Sequence, residues 1–353
     1  MTRQLRYQDA IREAQAQILA ADPRTYIIGL GVPGPTGIFG TTKELQREFG
    51  DERVLDMPSS ENGMTGIALG TSLVGRRPIL VHMRVDFAVL SMEPLVNQIA
   101  KWHYMYGGKM TAPITVRMII GRGWGQGPQH SQSLQAWFAH VPGLKVVMPT
   151  TAHDVKGMLI AAVADDAPVI FFEHRWLYGI KGFVPEEMYT VPLDQASIMR
   201  AGRDVTLVGT SYMALESLRA AELLSEIGID AEVIDLRSVS PIDMNALSKS
   251  VKRTGRVVVS DTGHSQFGVA AEVIAAITER CFADLRCAPR RVGLPHVPTP
   301  TTPSLAEVYY PRALQIAQEA AEMFGAADRL PRAEAASAGS WHDVPDPSFT
   351  GPY

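Results

Sequence analysis

Two short segments of this sequence carry side chains placed where they could react. In MPSSENGMTGIALG, residues 57–70, Glu61 stands between an extended apolar run and a Gly- and Ala-rich stretch that reads as a helix. A carboxylate suits the positive end of a helix dipole. Position alone leaves two roles open to Glu61, an acid held for proton transfer or one that caps the helix. In GQGPQHSQSLQAWFAHVPGLKVVMPT, residues 125–150, His130 lies on a Gly-rich loop after the apolar run ITVRMII. Ligand sites of open parallel sheets lie beyond the carboxyl ends of the strands. An imidazole there is suited to general acid–base work, although a lone loop histidine is also compatible with no role.

The elements that must position these residues follow from periodicity. Extended candidates occupy residues 26–30, 53–57, 78–83, 114–120, 145–148 and 169–172, and several are unbroken apolar runs such as VIFF. Such runs suit strands buried on both faces of a parallel sheet. Helical patterns over 42–49, 92–106 and 154–163 alternate with them. Near the start, Ile11, Ala14, Ile18 and Leu19 recur at helical spacing. A Pro-rich connection around 183–194 leads into a second series. There DVTLVGTS, DAEVIDLR, RVVVSD and RRVGLP alternate with helices over 213–227, 243–252 and 268–280, and Gly228 is a natural helix stop. VPTPTTPS breaks the pattern before a closing helix over 304–324. The expected architecture is α/β with two doubly wound domains, 1–190 and 195–325. A tail over 326–353, rich in Ala, Ser, Pro and Asp, has too little apolar material for a core of its own. Its Trp341, Phe349 and Tyr353 either stay loose or dock on a neighbouring surface.

Composition removes several function classes. The formal net charge is −4 with no basic block, which does not suit nucleic-acid binding. No apolar run approaches the roughly 18 residues of a membrane span. Arg3, Arg6 and Arg12 are interrupted by Asp9 and Glu13, unlike a targeting peptide, and the expected compartment is the cytoplasm. Cys281 and Cys287 are six apart, which is neither a redox pair nor a zinc pattern. GGKMT has no Ser or Thr directly after Lys109 as a phosphate-binding loop needs, GHSQF lacks the last Gly of a nucleophile elbow, and no H-E-x-x-H occurs.

A series of segments then matters more than either site alone. SSENGMTGIALG, RPILV, QHSQ, FAHVPGLKVVMP, DVTLV, AEVIDLRSVSPID and FGVAAE occur in this order over about residues 5–325. In this the chain resembles the beta subunits of the decarboxylating component of thiamine-diphosphate-dependent 2-oxo acid dehydrogenases, those acting on pyruvate, branched-chain 2-oxo acids and acetoin. The resemblance implies an N-terminal pyrimidine-binding domain and a C-terminal transketolase-like domain. It implies that Glu61 pairs with the aminopyrimidine ring nitrogen of thiamine diphosphate, that Phe87 and Met83 lie against that ring, and that His130 faces the reacting carbon. It also implies a potassium site at Ile114, Ala162, Val163, Asp165 and Ala167, mostly through backbone carbonyls. Arg122, Trp124 and His103 are candidates for the entrance.

The family binds Mg2+ and the diphosphate through a Gly-Asp-Gly segment, which is missing from this sequence. The resemblance therefore implies an alpha subunit supplying that half, in an α2β2 heterotetramer, with a lipoyl acyltransferase core as a further partner. Two features depart from the family. Its acidic residues after the first strand are replaced by Leu30 and Gly31, followed by the Pro/Gly-rich PGPTGIFG, and the tail follows about residue 326. Decarboxylation of a 2-oxo acid with acyl transfer to a lipoyl carrier is the expected activity. Transfer to an aldehyde by a two-subunit carboligase is the alternative. A non-catalytic scaffold is disfavoured because both Glu61 and His130 are present.

Overall fold

The computed structural model describes residues 3–123 and 125–331. They divide into two compact units: residues up to Gly121 with Trp137–Leu193, and Arg122–Ala136 with the chain from Asp194 onward. Trp124, Trp341, Phe349 and Tyr353 lie outside the described residues.

The first unit opens with β1 (Gln4–Arg6) and α1 (Tyr7–Ala21), whose helically spaced Ile11, Ala14, Ile18 and Leu19 are all buried. The chain continues through β2 (Thr25–Ile28), α2 (Leu45–Phe49), β3 (Val54–Leu55), α3 (Glu61–Leu73), β4 (Arg77–His82), α4 (Val85–Ala88) and α5 (Trp102–Met105). Next come β5 (Thr115–Ile120), α6 (Gln135–Ala139), β6 (Lys145–Val147), α7 (Ala152–Ala164), β7 (Val169–His174) and β8 (Lys181–Phe183). Six of these strands pair in parallel in the order β6–β7–β5–β4–β2–β3. The continuous apolar runs are the central strands: every residue of β5 and β7 is buried. β1 and β8 form a separate antiparallel pair that periodicity did not reveal, because each has only three residues.

A buried ion pair locks this unit. Arg117 on β5 meets Glu173 on β7 through two hydrogen bonds, 2.5 and 2.9 Å, and donates further to Gln15 of α1 and Thr41. Tyr178 donates to the same carboxylate at 2.6 Å. Two parallel guanidinium–carboxylate bonds are the strong form of this contact.

The second unit contains β9 (Ser197–Arg200), β10 (Val205–Gly209), α8 (Tyr212–Glu226), β11 (Ala231–Asp235), β12 (Ser238–Ser240), α9 (Met244–Thr254), β13 (Val257–His264), α10 (Val269–Cys281), β14 (Arg290–Leu294), α11 (Pro303–Tyr309) and α12 (Ala313–Glu322). Its sheet runs β14–β13–β10–β11–β9, parallel except for β9. Gly209 ends β10 where a Cβ would come within 2.4 Å of Ala214, so only glycine lets α8 pack this close. Ala326 and Leu330 are buried in the core with Leu314, Ala317 and Ala321, so packed chain continues past the expected start of the tail at 326.

Three helices differ from expectation. The pattern over 42–49 becomes a helix only from Leu45, because Glu44 takes a left-handed φ of 64°. The run over 92–106 is unevenly wound, with a π-helical turn at Pro94–Gln98 and 3-10 turns on either side. Pro94 has no N–H for the carbonyl of the preceding turn. The helix expected over 304–324 is two helices, since Tyr310 precedes Pro311 and is forced into extended backbone, φ −93° and ψ 110°.

Candidate active site

Glu61 is the first residue of α3, six positions beyond the end of β3. It is 8 % exposed, and its carboxyl group makes no hydrogen bond within the described chain. The small exposure that remains leaves this carboxyl group open to a partner from outside the chain. α3 itself is a poor intrinsic helix, with Gly63, Gly66 and Gly70 each costing about 1 kcal/mol against Ala. Thr65, one turn beyond Glu61, anchors it: its hydroxyl bonds Glu61 O at 2.7 Å and Ser91 Oγ at 3.0 Å.

Ser91 in turn lies one turn beyond Phe87. Met83 and Phe87 follow the end of β4, both half-buried, with Phe87 in α4. The Thr65–Ser91 bond therefore brings together the two segments that carry Glu61 and Phe87. Met83 Cε would lie 3.6 Å from a Cβ at Gly31, which places it against the turn after β2. β3, β2 and β4 are neighbours, so Glu61, Gly31 and Met83 all stand at one edge, beyond the carboxyl ends of parallel strands.

The departure at Leu30 and Gly31 has a local account. Gly31 has φ 75°, and its N–H donates to Asp56 Oδ1 at 2.8 Å. An acidic side chain at that position would strain the left-handed backbone. Gly29 is equally constrained, since a Cβ there would meet Val81 O at 2.4 Å. Farther along the loop, Phe39 lies between two buried guanidinium groups, with Arg175 at 4.5 Å and Arg84 at 5.6 Å from its ring centre. Arg84 also donates to Gly121 O at 2.5 Å, at the end of β5. Burial, opposed by Tyr178 and reinforced by Arg84, lowers the Arg175 pKa to about 10. The end of β4 adds His82, whose pKa burial lowers to about 4. These basic groups were not anticipated, because single Arg and His residues inside apolar strands and turns carry no spacing signal.

His130 belongs to the second unit. It ends a short 3-10 turn, Pro128–His130, and is exposed. Arg122 is fully buried and holds the loop, donating to Gln126 O at 2.8 Å and to Thr301 O. That is an anchoring role for a residue expected at an entrance. His103 is exposed and closes its own turn through a 3.0 Å bond between Nδ1 and Met110 O.

The residues expected to hold potassium lie at the C-terminal end of α7 and beside it. Arg77 Nη1 donates to Val163 O at 3.0 Å and Asp165 O at 2.9 Å, and Lys145 pairs with the Asp165 carboxylate. Ile114 O accepts from Val169 N at 2.9 Å. Carbonyls at a helix C-terminus attract cations, as Arg77 illustrates. Each carbonyl oxygen has a second lone pair, so the donor chemistry remains compatible with a monovalent cation.

Comparison with known proteins agrees with this layout. The transketolase pyrimidine-binding domain matches residues 3–181, and the transketolase C-terminal domain matches residues 194–316. The chain is 41 % identical over 330 residues to the acetoin:2,6-dichlorophenolindophenol oxidoreductase subunit beta of Cupriavidus necator, covering 91 % of this chain and 97 % of that one. It is 40 % identical over 287 residues to the pyruvate dehydrogenase E1 component subunit beta of Bacillus subtilis, covering 81 % and 88 %. Its fold is similar to that of a split-gene transketolase, solved as an inactive beta4 tetramer, with a TM-score of 0.74 at 23 % identity over 93 % of this chain and all of that one.

Proposed function

Since the chain belongs to the transketolase-like family, as a beta subunit of a thiamine-diphosphate-dependent dehydrogenase component, we propose that it forms half of an active site completed by an alpha subunit in an α2β2 assembly. The assembled enzyme decarboxylates a small 2-oxo acid and passes the acyl group to a lipoyl carrier. The observation that supports this reading is Glu61, nearly buried and with no side-chain hydrogen bond among the described residues, on the sheet edge shared with Met83.

Thiamine diphosphate supplies the carbanion chemistry when bound, and the protein supplies position and electrostatics. Glu61 would share a proton with the ring nitrogen of the aminopyrimidine. Phe87 and Met83 would pack against the ring and keep water from it. His130 would hold or deliver a proton at the reacting substrate, a role worth about 10²–10⁴-fold in rate. Mg2+ and the diphosphate need hard oxygen ligands. No Gly-Asp-Gly run occurs in the sequence. Among the described residues no group of three or more His, Cys, Asp or Glu could hold a metal ion. The alpha subunit is therefore assigned that half. A potassium ion at the carbonyls of Ile114, Ala162, Val163, Asp165 and Ala167 would support the fold beside Arg77.

The relatives named for acetoin make an α-hydroxyketone the second substrate class to examine. The test is co-expression with the alpha partner, followed by assay of a 2-oxo acid panel and acetoin with a lipoyl domain, an artificial dye or an aldehyde as acceptor. Acyl transfer to the lipoyl domain supports the dehydrogenase reading. A new carbon–carbon bond with no lipoyl transfer replaces it with the carboligase.

A further inference from the structure

The loop that carries His130 joins β5 to α6, yet it groups with the second unit. Two contacts hold its ends there. At the start, Arg122 donates to Thr301 O, and Gly127 lies so close that a Cβ would meet Thr301 Oγ1 at 2.5 Å. At the end, Gln135 is fully buried, and its Nε2 donates to Asp261 Oδ1 at 2.9 Å and to Thr262 Oγ1 at 3.3 Å. Asp261 is itself buried at the C-terminal part of β13, and Thr210 at the end of β10 donates to the same Oδ1 at 2.6 Å. A Cβ at Gly263 would meet both Gln135 Nε2 and Asp261 Oδ2 at 2.9 Å, so the chain is narrowed here to admit the pair.

We infer that Asp261, through Gln135 and with Thr210, is a positioning residue for His130: the second unit fixes the reacting imidazole by clamping its loop at both ends. The buried carboxylate has a physical reason to be there. A neutral acceptor would hold one amide weakly, whereas a hydrogen bond to a charged group is stronger. Burial raises the Asp261 pKa, and the hydrogen bonds from Thr210 and Gln135 oppose that rise. Both donors thus favour the form that grips the loop. A reacting group displaced by about 1 Å costs about 10²-fold in rate, so the clamp acts on turnover and leaves cofactor affinity alone.

This inference rests on the reading of His130 as the reacting group, and the test separates the two. The reconstituted complex is measured for kcat, for KM of the cofactor and for amide exchange of residues 123–134. Gln135→Glu sets two carboxylates against each other and should lower kcat about ten- to a hundredfold, with KM unchanged and faster exchange in the loop. Asp261→Asn added to Gln135→Glu reverses the hydrogen bond, Asn to Glu, and should restore both readouts, which a folding defect would not. In a His130→Ala background Gln135→Glu should cost no further rate, because the two act as a unit. Unchanged kcat and exchange in Gln135→Glu would overturn the inference. So would faster exchange with unchanged kcat, or failure of the double variant to recover. Full activity of His130→Ala alone would instead remove the reading of His130, while the exchange data still report on the clamp.

Discussion

His82 offers a prediction whose size follows from the structure. It ends β4 fully buried, and its Nε2 finds no hydrogen-bond partner among the described residues. Burial alone lowers its pKa from 6.5 to about 4. The folded chain therefore keeps the neutral ring, while the unfolded chain takes up a proton near pH 6.5. Stability is complete above the unfolded value and drains away as pH falls through 6.5 toward 4. At about 1.4 kcal/mol per unit, the full loss is about 3 kcal/mol, of which about 1.3 kcal/mol falls between about pH 7.5 and 5.5. His82→Phe removes the titrating group and keeps a planar ring. Urea unfolding of both proteins across this range should show the wild type losing about 1 kcal/mol more than the variant. Parallel loss in the two proteins would refute the buried neutral histidine.

The other predictions concern the lock, the site and the cation. Glu173→Gln leaves Arg117 buried without its counter-charge and should cost about 3–5 kcal/mol in denaturant unfolding; a loss under about 1 kcal/mol would show that the pair is not a stabilising lock. His130→Ala should slow turnover of the assembled enzyme by about 10²–10⁴-fold, and wild-type kcat would remove it from the chemistry. At matched ionic strength KCl should raise the melting temperature above that in choline chloride. Equal values would mean that Arg77 and Lys145 suffice at the end of α7.

Much of the fold was legible because its strands are apolar on both faces and its helices keep a 3.6-residue period. β5 and β7 stand out as VRMII and VIFF for that reason, and α1 for its spacing of Ile11, Ala14, Ile18 and Leu19. Where backbone chemistry overrode periodicity, the reading failed: Pro311 split one helix, Pro94 unevenly wound another, and the left-handed Glu44 delayed a third. β1 and β8 were too short to carry a period. Glu61, Met83 and Phe87 were expected from the resemblance carried by the order of motifs, and the structure sets their segments at one edge of one sheet. Arg84, Arg175 and His82, near the ends of β4 and β7, were not expected there, because what makes them unusual is burial, which a single sequence does not display. The capture of residues 122–136 by the second unit was hidden for a similar reason, as it depends on Gln135 meeting Asp261 across 126 positions of chain.

The most direct measurement of the central claim is turnover of this chain alone, the alpha subunit alone, the two together, and the pair carrying Glu61→Gln, each with thiamine diphosphate and Mg2+. Only the wild-type pair should turn over, with Glu61→Gln reduced by orders of magnitude while the subunits still assemble. Turnover by this chain alone, or near-normal rate in the Glu61→Gln pair, would contradict a shared active site organised by Glu61.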